Sequence, residues 1–594
     1  MLSIRFVKPV VRRVRHFHYD NRWDFNHDVP HIIHNAWVKP IAGTPLFRVQ
    51  SKLKQVRHEL LDWAKAGTSN SARLIRETRK ALDSARDAGG VNWTLIGRLE
   101  AQLTEAYRQE ELYWQQKSRV SWLHGGDANT RFFHLATMQR RRSNIIARLR
   151  DEHGVVHSDE QQKGEVSLSY FQNIFTSNGR DSLEFVRNLN IPTLISSDKN
   201  VLLTAQITRA EIKQVFFGIG KYQAPGSDGF TGSFFQRFWD EIGADVSEAI
   251  LSFFSTGRLL HSINHTWLVL IPKVVNADSM QQLRPIGLCQ VMYKAISKIL
   301  SNRLSAILPH IISPFQNGFI KGRCISDNIL IGQEVMQFLK TKVRGQDKWM
   351  ALKLDMEKAY DRVEWEFLFH IMESMGFCTQ WMKWIKACVT TVRFSVLLNG
   401  NEYGYFQPQR GIRQGDPLSP LLFAIYTEAF AAMISQAVSI STLHDLKVHM
   451  SAPPLSHLFY ADDSYLFLRA SVPECANLLH LLAEYERYSG QWINLHKSAM
   501  CGSANVSEQE LLSLSSFLGV ATMSPDDKYL GLPSQLRRSK SLTFQFIEED
   551  LAARIRSWKT KALSLAAKEV VIKSIGAAGP IYAMSAFRLP QETC

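Results

Sequence analysis

A chain of 594 residues with 45% hydrophobic and 21% charged side chains is globular rather than disordered, and too long for one compact core. The formal charge of +15 favours a polyanionic partner, nucleic acid before an anionic membrane surface, and no run of eighteen or more uncharged apolar residues offers a membrane span. Seven scattered cysteines, with no Cys-x-x-Cys pair, argue against a disulfide framework or a zinc site and fit a reducing compartment.

Met1 to Tyr19 carries Arg5, Lys8, Arg12, Arg13 and Arg15 and no acid. That is the composition of an organelle transit peptide, but a basic arm on a larger protein is the preferred reading. Residues 46 to 120 repeat apolar side chains at helical spacing, as in Leu95, Leu99, Leu103, Ala106 and Tyr107. Gly89-Gly90 divides the stretch, so a helical hairpin without chemistry is expected. From Ser118 to Arg150, Trp122, Phe132 and Phe133 alternate with Arg131, Arg140, Arg141, Arg142, Arg148 and Arg150. Basic residues interleaved with aromatics suit a nucleic-acid backbone and stacked bases; the plainer reading is a solvated helix face.

Ala224-Pro-Gly-Ser-Asp-Gly-Phe230 is a turn-forming loop leading into a helix over 232–240. Thr266 to Ile271 reads as a strand stopped by Pro272, and Arg284-Pro-Ile precedes a helix from Val291 to Leu308. Lys273 and Arg284 flank the intervening loop and could cradle a triphosphate, Arg binding phosphate bidentately and Lys as a point charge. Met350 to Asp355 alternates as a strand ending on a carboxylate, with a helical pattern following towards Trp365 and Phe369. Arg410-Gly-Ile-Arg-Gln-Gly-Asp-Pro-Leu-Ser-Pro420 is a Gly-rich loop whose Gly411 and Gly415 would let backbone approach a ligand. Ser419 and Pro420 suit the N-cap and first position of the apolar helix after it, which Glu428 interrupts. Leu458 to Leu468 reads as a hairpin with Asp462 and Asp463 at its turn.

Asp355, Asp462 and Asp463 together form a hard oxygen donor set suited to Mg²⁺. Two such ions can activate a hydroxyl and stabilise a leaving oxygen in phosphoryl transfer. Since neighbouring strand residues face opposite ways, Asp462 is expected to bridge the metals and Asp463 to bind more weakly.

Three ordered stretches resemble motifs A, B and C of reverse transcriptases: Lys-Leu-Asp355-Met-Glu-Lys-Ala-Tyr360-Asp361, Arg-Gln414-Gly415-Asp-Pro-Leu-Ser-Pro, and Phe-Tyr460-Ala-Asp462-Asp463. The wording is most similar to plant LINE-type, non-LTR retroelements. Ala224 to Gly229, Leu270-Ile-Pro-Lys273 with Arg284-Pro-Ile, and Phe315-Gln-Asn-Gly-Phe-Ile-Lys-Gly-Arg323 extend the match. Gly490 to Ser498 resembles motif D, and Tyr529-Leu-Gly-Leu-Pro533 the primer-grip region.

The resemblance implies an α+β right-hand polymerase: fingers, a ferredoxin-like palm and a partial helical thumb behind a helical linker. The expected divisions are 1–150 for the linker, 151–250 for an extension into the fingers, 251–540 for fingers and palm, and 541–594 for the thumb. It implies an RNA-directed DNA polymerase that adds dNTPs to a primer 3′-hydroxyl with two Mg²⁺ ions, Mn²⁺ being the alternative. By resemblance Asp355, Asp462, Asp463 and the Met356 carbonyl hold metal, and Lys273 and Arg284 contact the triphosphate. Tyr360 is the steric gate against a 2′-hydroxyl, Gln414 and Gly415 line the nascent pair, and Lys497 protonates pyrophosphate; Asp361 is structural. The partners implied are an RNA template, a DNA primer and their hybrid, in nucleus or cytoplasm, with no membrane. Leu551 to Lys573, with Arg554, Arg556, Lys559, Lys561, Lys568 and Lys573 beside Ile555, Trp558 and Leu563, reads as basic amphipathic thumb helices facing a duplex. The chain is expected to be a polymerase fragment lacking an upstream endonuclease. The rival readings are a catalytically silent nucleic-acid-binding remnant and a group II intron-type maturase.

Overall fold

The computed structural model describes residues 16–65, 71–87, 92–119, 130–524, 527–536, 539–557, 568–570 and 572–592. Arg5 to Arg15, Gly89-Gly90, Trp122, Trp558, Lys559, Lys561 and Leu563 lie outside them, as do the side chains of Arg131, Arg554, Ile555 and Arg556.

α1 (Asp28–Val38) is followed by α2 (Pro45–Trp63), which opens on a proline where a missing N–H costs nothing. Along α2, Leu46, Val49, Leu53, Val56 and Leu60 recur at helical spacing and are all buried. α3 (Ser71–Asp87) and α4 (Trp93–Ser118) pack side by side, α4 capped by Asn92 accepting from the Leu95 N–H. The stretch from 46 to 120 is therefore three helices: one built into the body and a hairpin of two. α5 (Thr130–Ser143) buries Phe133, and Arg140 is spent on the Lys117 carbonyl. A ribbon, β1 (Leu149–Arg150) with β2 (Val156–His157), leads to α6 (Glu160–Ile174), α7 (Leu183–Asn188), α8 (Ser197–Thr204), α9 (Arg209–Gly218), α10 (Gly232–Arg237) and α11 (Trp239–Thr256).

The fingers sheet takes β3 (His265–Pro272), the strand expected from Thr266 to Ile271, and β4 (Leu283–Leu288), which pairs with it as an antiparallel hairpin. After α12 (Val291–Ile307), α13 (Ile325–Thr341), β5 (Trp349–Leu354), α14 (Trp365–Ser374) and α15 (Thr379–Thr390), the sheet is completed by β6 (Arg393–Leu398) and β7 (Asn401–Phe406). Its order is β4-β3-β6-β7.

α16 (Ser419–Ser439), β8 (His457–Tyr460), β9 (Asp463–Arg469), α17 (Val472–Ser489) and β10 (Ala499–Gly502) follow, then α18 (Glu508–Leu518) and β11 (Ala521–Thr522). The second sheet runs β11-β10-β5-β9-β8. Counting β5, β8, β9 and β10 as strands one to four, its order is 4-1-3-2 with every neighbour antiparallel. With helices in both crossovers this is the ferredoxin-like palm that the motifs implied.

α16 is long and apolar enough to cross a membrane by composition, yet most of it is buried in the protein, so it is a core helix. Its cap is Leu418, one residue earlier than expected, and Ser419 makes no capping bond; Asp416 Oδ1 instead accepts from the Leu418 N–H at 3.1 Å. β12 (Lys528–Tyr529) and β13 (Leu532–Pro533) make a small hairpin, with Leu530 and Gly531 both at positive φ in its two-residue turn. α19 (Lys540–Ser557) and α20 (Ile581–Met584) pack with α13 through Ile329, Phe544, Ile547 and Ala583. Lys573 of the expected basic face is paired with Glu569 at 2.6 Å.

One continuous core joins the palm helices α14, α16 and α17 to the fingers helices α11 and α12. It also includes Tyr19, Trp23, Ile33, Trp37, Val49 and Val56, residues the sequence places in a linker.

Candidate active site

The palm register brings the three aspartates to one end of the sheet. β5 pairs with β9 from Trp349↔Arg469 to Leu354↔Ser464, so the next position, Asp355, lies opposite Asp463. Side chains at directly opposed antiparallel positions share a face. Tyr460 pairs with Asp463 in the β8–β9 hairpin, leaving Ala461 and Asp462 as the turn. Burial holds all three carboxyls above the ordinary aspartate range; Asp355 further raises Asp462, and Asp462 further raises Asp463. Lys497 and Lys353 pull Asp355 back. The acids are close enough to feel one another across the sheet, and each would be better accommodated with a cation beside it.

The turn is held in an unusual shape. Ala461 has φ +56°, a conformation costly for a residue with a side chain. Gln316, fully buried, over-determines it. Its Oε1 accepts from the Ala461 N–H at 3.0 Å and the Gly318 N–H at 2.8 Å. Its Nε2 donates to Thr427 Oγ1 at 3.1 Å and reaches the Ala461 carbonyl at 3.4 Å. Next to it, the Phe459 carbonyl accepts from Asn317 N–H at 3.0 Å and from Asn328 Nδ2 at 2.9 Å. A Cβ at Gly318 would collide with the Ala461 nitrogen, so only glycine allows this approach.

The segment after Gly490 wraps the other side. The Asn494 N–H donates to the Asp355 carbonyl at 2.8 Å, Ser498 Oγ accepts from the Asp355 N–H at 3.2 Å, and Gln491 Nε2 donates to the Ala359 carbonyl at 3.0 Å. Met356 bridges to Ile493 and is buried.

Basic side chains gather against these acids. Lys273, at the end of β3, is exposed, donates to the Gln281 carbonyl at 3.1 Å, and is held below the usual lysine range by partial burial and then by Arg284 and Lys497. Arg284 pairs across from Ile271. Lys358, to which sequence reading gave no role, joins them: its Nζ reaches the Leu283 carbonyl at 3.3 Å, and burial lowers its pKa, with Lys273 and Lys497 lowering it further. The expected Lys273, Arg284 and Lys497 thus form one cluster beside Asp355, enlarged by Lys358. Asp361 beneath it is buried, pushed up to about 6 by desolvation, and offset by Lys358 and Lys273, which agrees with a structural role.

Tyr360 stacks on Phe423 at 4.8 Å, its hydroxyl driven up by burial and then by Asp462, so it stands beside the acidic turn. Gln414 and Gly415 are held by backbone: the Gln414 carbonyl accepts from the Gly287 N–H at 2.7 Å, and a Cβ at Gly415 would sit 2.9 Å from the Gly287 carbonyl. A Cβ at Gly411 would meet the Asp361 carbonyl at 2.8 Å. The glycines expected to make room for a ligand are required first by the protein's own packing. The loop arginines are likewise committed, Arg410 to Glu364 at 3.0 Å and Arg413 to Asp416 at 2.9 Å.

Among the described residues no three His, Cys, Asp or Glu side chains are gathered closely enough to hold an ion as they stand. The donor set at the palm end nevertheless fits a hard cation: oxygen only, and partly desolvated. The shared face of Asp355 and Asp463 leaves their convergence to side-chain rotation.

A ferredoxin-like palm bearing paired acids, flanked by a basic fingers hairpin, is the right-hand polymerase fold. Residues 271–533 match the family model described as reverse transcriptase (RNA-dependent DNA polymerase). Over this stretch the chain is similar to reverse transcriptases, and its relatives include proteins of transposable elements. The chain is 28% identical over 488 residues to the Transposon TX1 uncharacterized 149 kDa protein of Xenopus laevis, covering 80% of this chain and 36% of that one. It is 30% identical over 202 residues to the Pol polyprotein from the type-2 retrotransposable element R2DM of Drosophila melanogaster, 34% of this chain and 18% of that one. It therefore spans about a third or less of the length of these two relatives. A solved apo telomerase from Candida tropicalis aligns over 47% of this chain and 57% of that one, at 13% identity and a TM-score of 0.31.

Proposed function

We propose that the chain is the RNA-directed DNA polymerase of a non-LTR element, of the plant LINE type that its motif wording resembles, extending a DNA primer on an RNA template. The observation that carries this is the register placing Asp355 opposite Asp463 and beside the Asp462 turn, at the one end of the palm where the basic cluster also lies. In the reaction the primer O3′ bonds to the α-phosphorus of a dNTP, the bond from that phosphorus to the bridging oxygen breaks, and pyrophosphate leaves. Asp355, Asp462 and Asp463, with the Met356 carbonyl, would hold two Mg²⁺ ions, which supply charge neutralisation for the entering and leaving oxygens. Lys273, Arg284 and Lys358 bind the triphosphate oxygens, and Lys497 hands a proton to the departing pyrophosphate. Tyr360, braced by Phe423, closes the space a 2′-hydroxyl would need. Gln414 and Gly415 shape the floor under the nascent pair.

Primer extension on an RNA template with dNTPs and Mg²⁺ tests this, comparing wild type with Asp462→Asn and Asp355→Asn. Each substitution is expected to reduce incorporation by about 10³-fold or more, the scale of losing an electrostatic catalyst. Incorporation at wild-type rate by both would remove these carboxylates from the chemistry. Salt-sensitive RNA binding without incorporation by wild type would make the chain a silent remnant.

A further inference from the structure

In the loop between β7 and α16, Gln414 and Gly415 stand between two opposite charges. Arg413 and Asp416 pair at 2.9 Å, and both side chains are only 4% exposed. The pair closes a short ring of backbone around the two residues between them. Gly415 takes φ +109° in this ring, and the Gln414 carbonyl accepts from the Gly287 N–H of β4 at 2.7 Å.

Each charge is tied to a different part of the molecule. Asp416 is held by helices: Oδ2 accepts from the Tyr293 hydroxyl of α12 at 2.6 Å, and Oδ1 accepts from the Ser297 hydroxyl and from the Leu418 N–H. Burial pushes the Tyr293 hydroxyl well above its ordinary range, so it stays a donor. Arg413 reaches the fingers. Its Nη1 donates to Asn264, which precedes β3, and to Thr266 of β3 at 3.4 Å; its Nη2 donates to the Cys388 carbonyl of α15 at 3.0 Å. The guanidinium lies over the Tyr293 ring at 3.8 Å, so the two sets of contacts meet. Taking two charges out of water costs about what their pairing returns, and an apolar pair would serve stability as well. What a buried ion pair adds is register. Here it fixes the β3–β4 hairpin against α12 and α16, with Gln414 and Gly415 in between. Lys273 follows the far end of β3, and Arg284 stands three positions before Gly287 on β4.

We propose that Arg413 and Asp416 are positioning residues for dNTP selection: their pair holds the loop under the nascent base pair at a fixed distance from the hairpin that grips the triphosphate. The inference rests on the polymerase reading, which gives Gln414 and Gly415 the base end of the dNTP and Lys273 and Arg284 its phosphate end. Neither charge touches substrate; both are buried and act through the two residues between them. A dNTP is then gripped at two places belonging to one rigid unit. A base that pairs badly finds no slack, because the loop does not move away from the hairpin to admit it.

Steady-state extension of a DNA primer on an RNA template by the full chain, with matched and mismatched dNTPs, tests it well below every variant's melting temperature. Arg413→Lys keeps a charge opposite Asp416 and loses the planar fork that spans Asn264, Thr266 and Cys388. It is expected to raise KM for the matched dNTP and to lower its kcat/KM about 10²-fold, the scale of a 1 Å misplacement. For the mismatched dNTP the loss should be about tenfold or less, so discrimination falls. Affinity for the primer–template, read by fluorescence anisotropy, should stay at the wild-type value. Tyr293→Phe removes one hydrogen bond to Asp416 and should shift discrimination the same way by about two- to fivefold. Arg303→Lys is the control. Arg303 pairs with Glu211 at 2.9 Å and donates to the Leu203 carbonyl at 3.1 Å, so its loss should lower the melting temperature and leave KM and discrimination alone. Equal losses for matched and mismatched dNTPs with KM unchanged would make the Arg413–Asp416 pair merely structural and overturn the proposal. Wild-type discrimination in both Arg413→Lys and Tyr293→Phe would overturn it too, and should Arg413→Lys fail to fold, Tyr293→Phe decides. A wild type that adds no dNTP fails the polymerase reading and takes this inference with it, whereas normal selection by the variants fails this inference alone.

Discussion

Gln316 has no chemistry to offer nucleotidyl transfer, yet its amide fixes the backbone on which Asp462 stands. It satisfies the Ala461 N–H and reaches the Ala461 carbonyl, at a residue whose positive φ the chain would otherwise relax. Gln316→Leu leaves that buried N–H unpaired, at a cost of about 1–3 kcal/mol. It also frees the turn, and a misplacement near 1 Å lowers turnover by about 10²-fold. Gln316→Glu keeps the acceptor and loses the donor, so activity is expected to rank Gln above Glu above Leu, with kcat falling more than KM rises. Steady-state primer extension alongside thermal melting checks this; a Leu variant that melts lower but turns over normally would make Gln316 merely structural. The aspartates were legible in the sequence because adjacent carboxylates between apolar runs are a local pattern. Gln316 and Lys358 were not: both stood in quoted motifs without a role. The first acts on a residue 145 positions away, the second on a strand 75 positions back. No spacing rule spans such gaps.

At the scale of elements, strands were easier to read than loops. Alternation located β5, and apolar runs located β3, β8 and β9; the palm turn falls one residue earlier than expected, on Ala461 and Asp462, with Asp463 opening β9. The Gly-rich loop before α16 was legible only in part, since its glycines and arginines also serve contacts with Gly287, Asp361, Glu364 and Asp416 that only the fold creates. Glu428, which broke the apolar run of α16, turns out to anchor the approach to the Gln316 segment: its carboxylate oxygens both accept from the Ser313 N–H at 3.1 Å. Burial pushes this carboxyl up to about 7, against the Ser313 N–H and Arg323, which draw it down. A raised folded pKa means the folded state keeps a proton the unfolded chain has lost. The stability this contributes is full below the unfolded value near 4.5 and is lost as pH rises through about 7. Glu428→Gln has no such dependence. Its melting temperature relative to wild type is therefore expected to climb between pH 5 and pH 8, measurable by thermal unfolding in matched buffers. A difference that stays flat or falls would show that the carboxyl is ionised in the fold throughout.

The whole molecule departs from a linker followed by a polymerase in one respect that bears on how it can be cut. Residues 19–60 do not merely lead into the fingers; their apolar side chains are continuous with those of α10, α11 and the palm. Trp37 is 4% exposed, donates its indole N–H to Asp245 of α11 at 2.9 Å, and lies under Lys52, whose Nζ reaches the same carboxylate at 2.6 Å. α2 adds Arg48 to Glu248 at 2.7 Å and Gln50 to Ser262 at 2.6 Å. Helices α3 and α4 are a different matter, held by one another, by α5 and by the turn at Asn21–Phe25 rather than by α11. Composition could not separate these cases, since both stretches are charged, helical and amphipathic, and only the partner surface on α11 distinguishes them. The consequence is a sharp contrast between two truncations. A chain beginning at Asp151 exposes the apolar face of α11 and is expected to aggregate or to melt well below the full chain. Trp37→Ala alone should cost about 3–5 kcal/mol, the usual loss for emptying a buried aromatic site. Removing 71–118 and joining its ends by a flexible linker leaves the α1–α2 contact with α11 in place, and the product should keep most of the full chain's thermal stability. Melting curves and limited proteolysis of the three proteins decide it. If the chain from Asp151 is soluble and melts with the full-length protein, the N-terminal helices are an appendage after all.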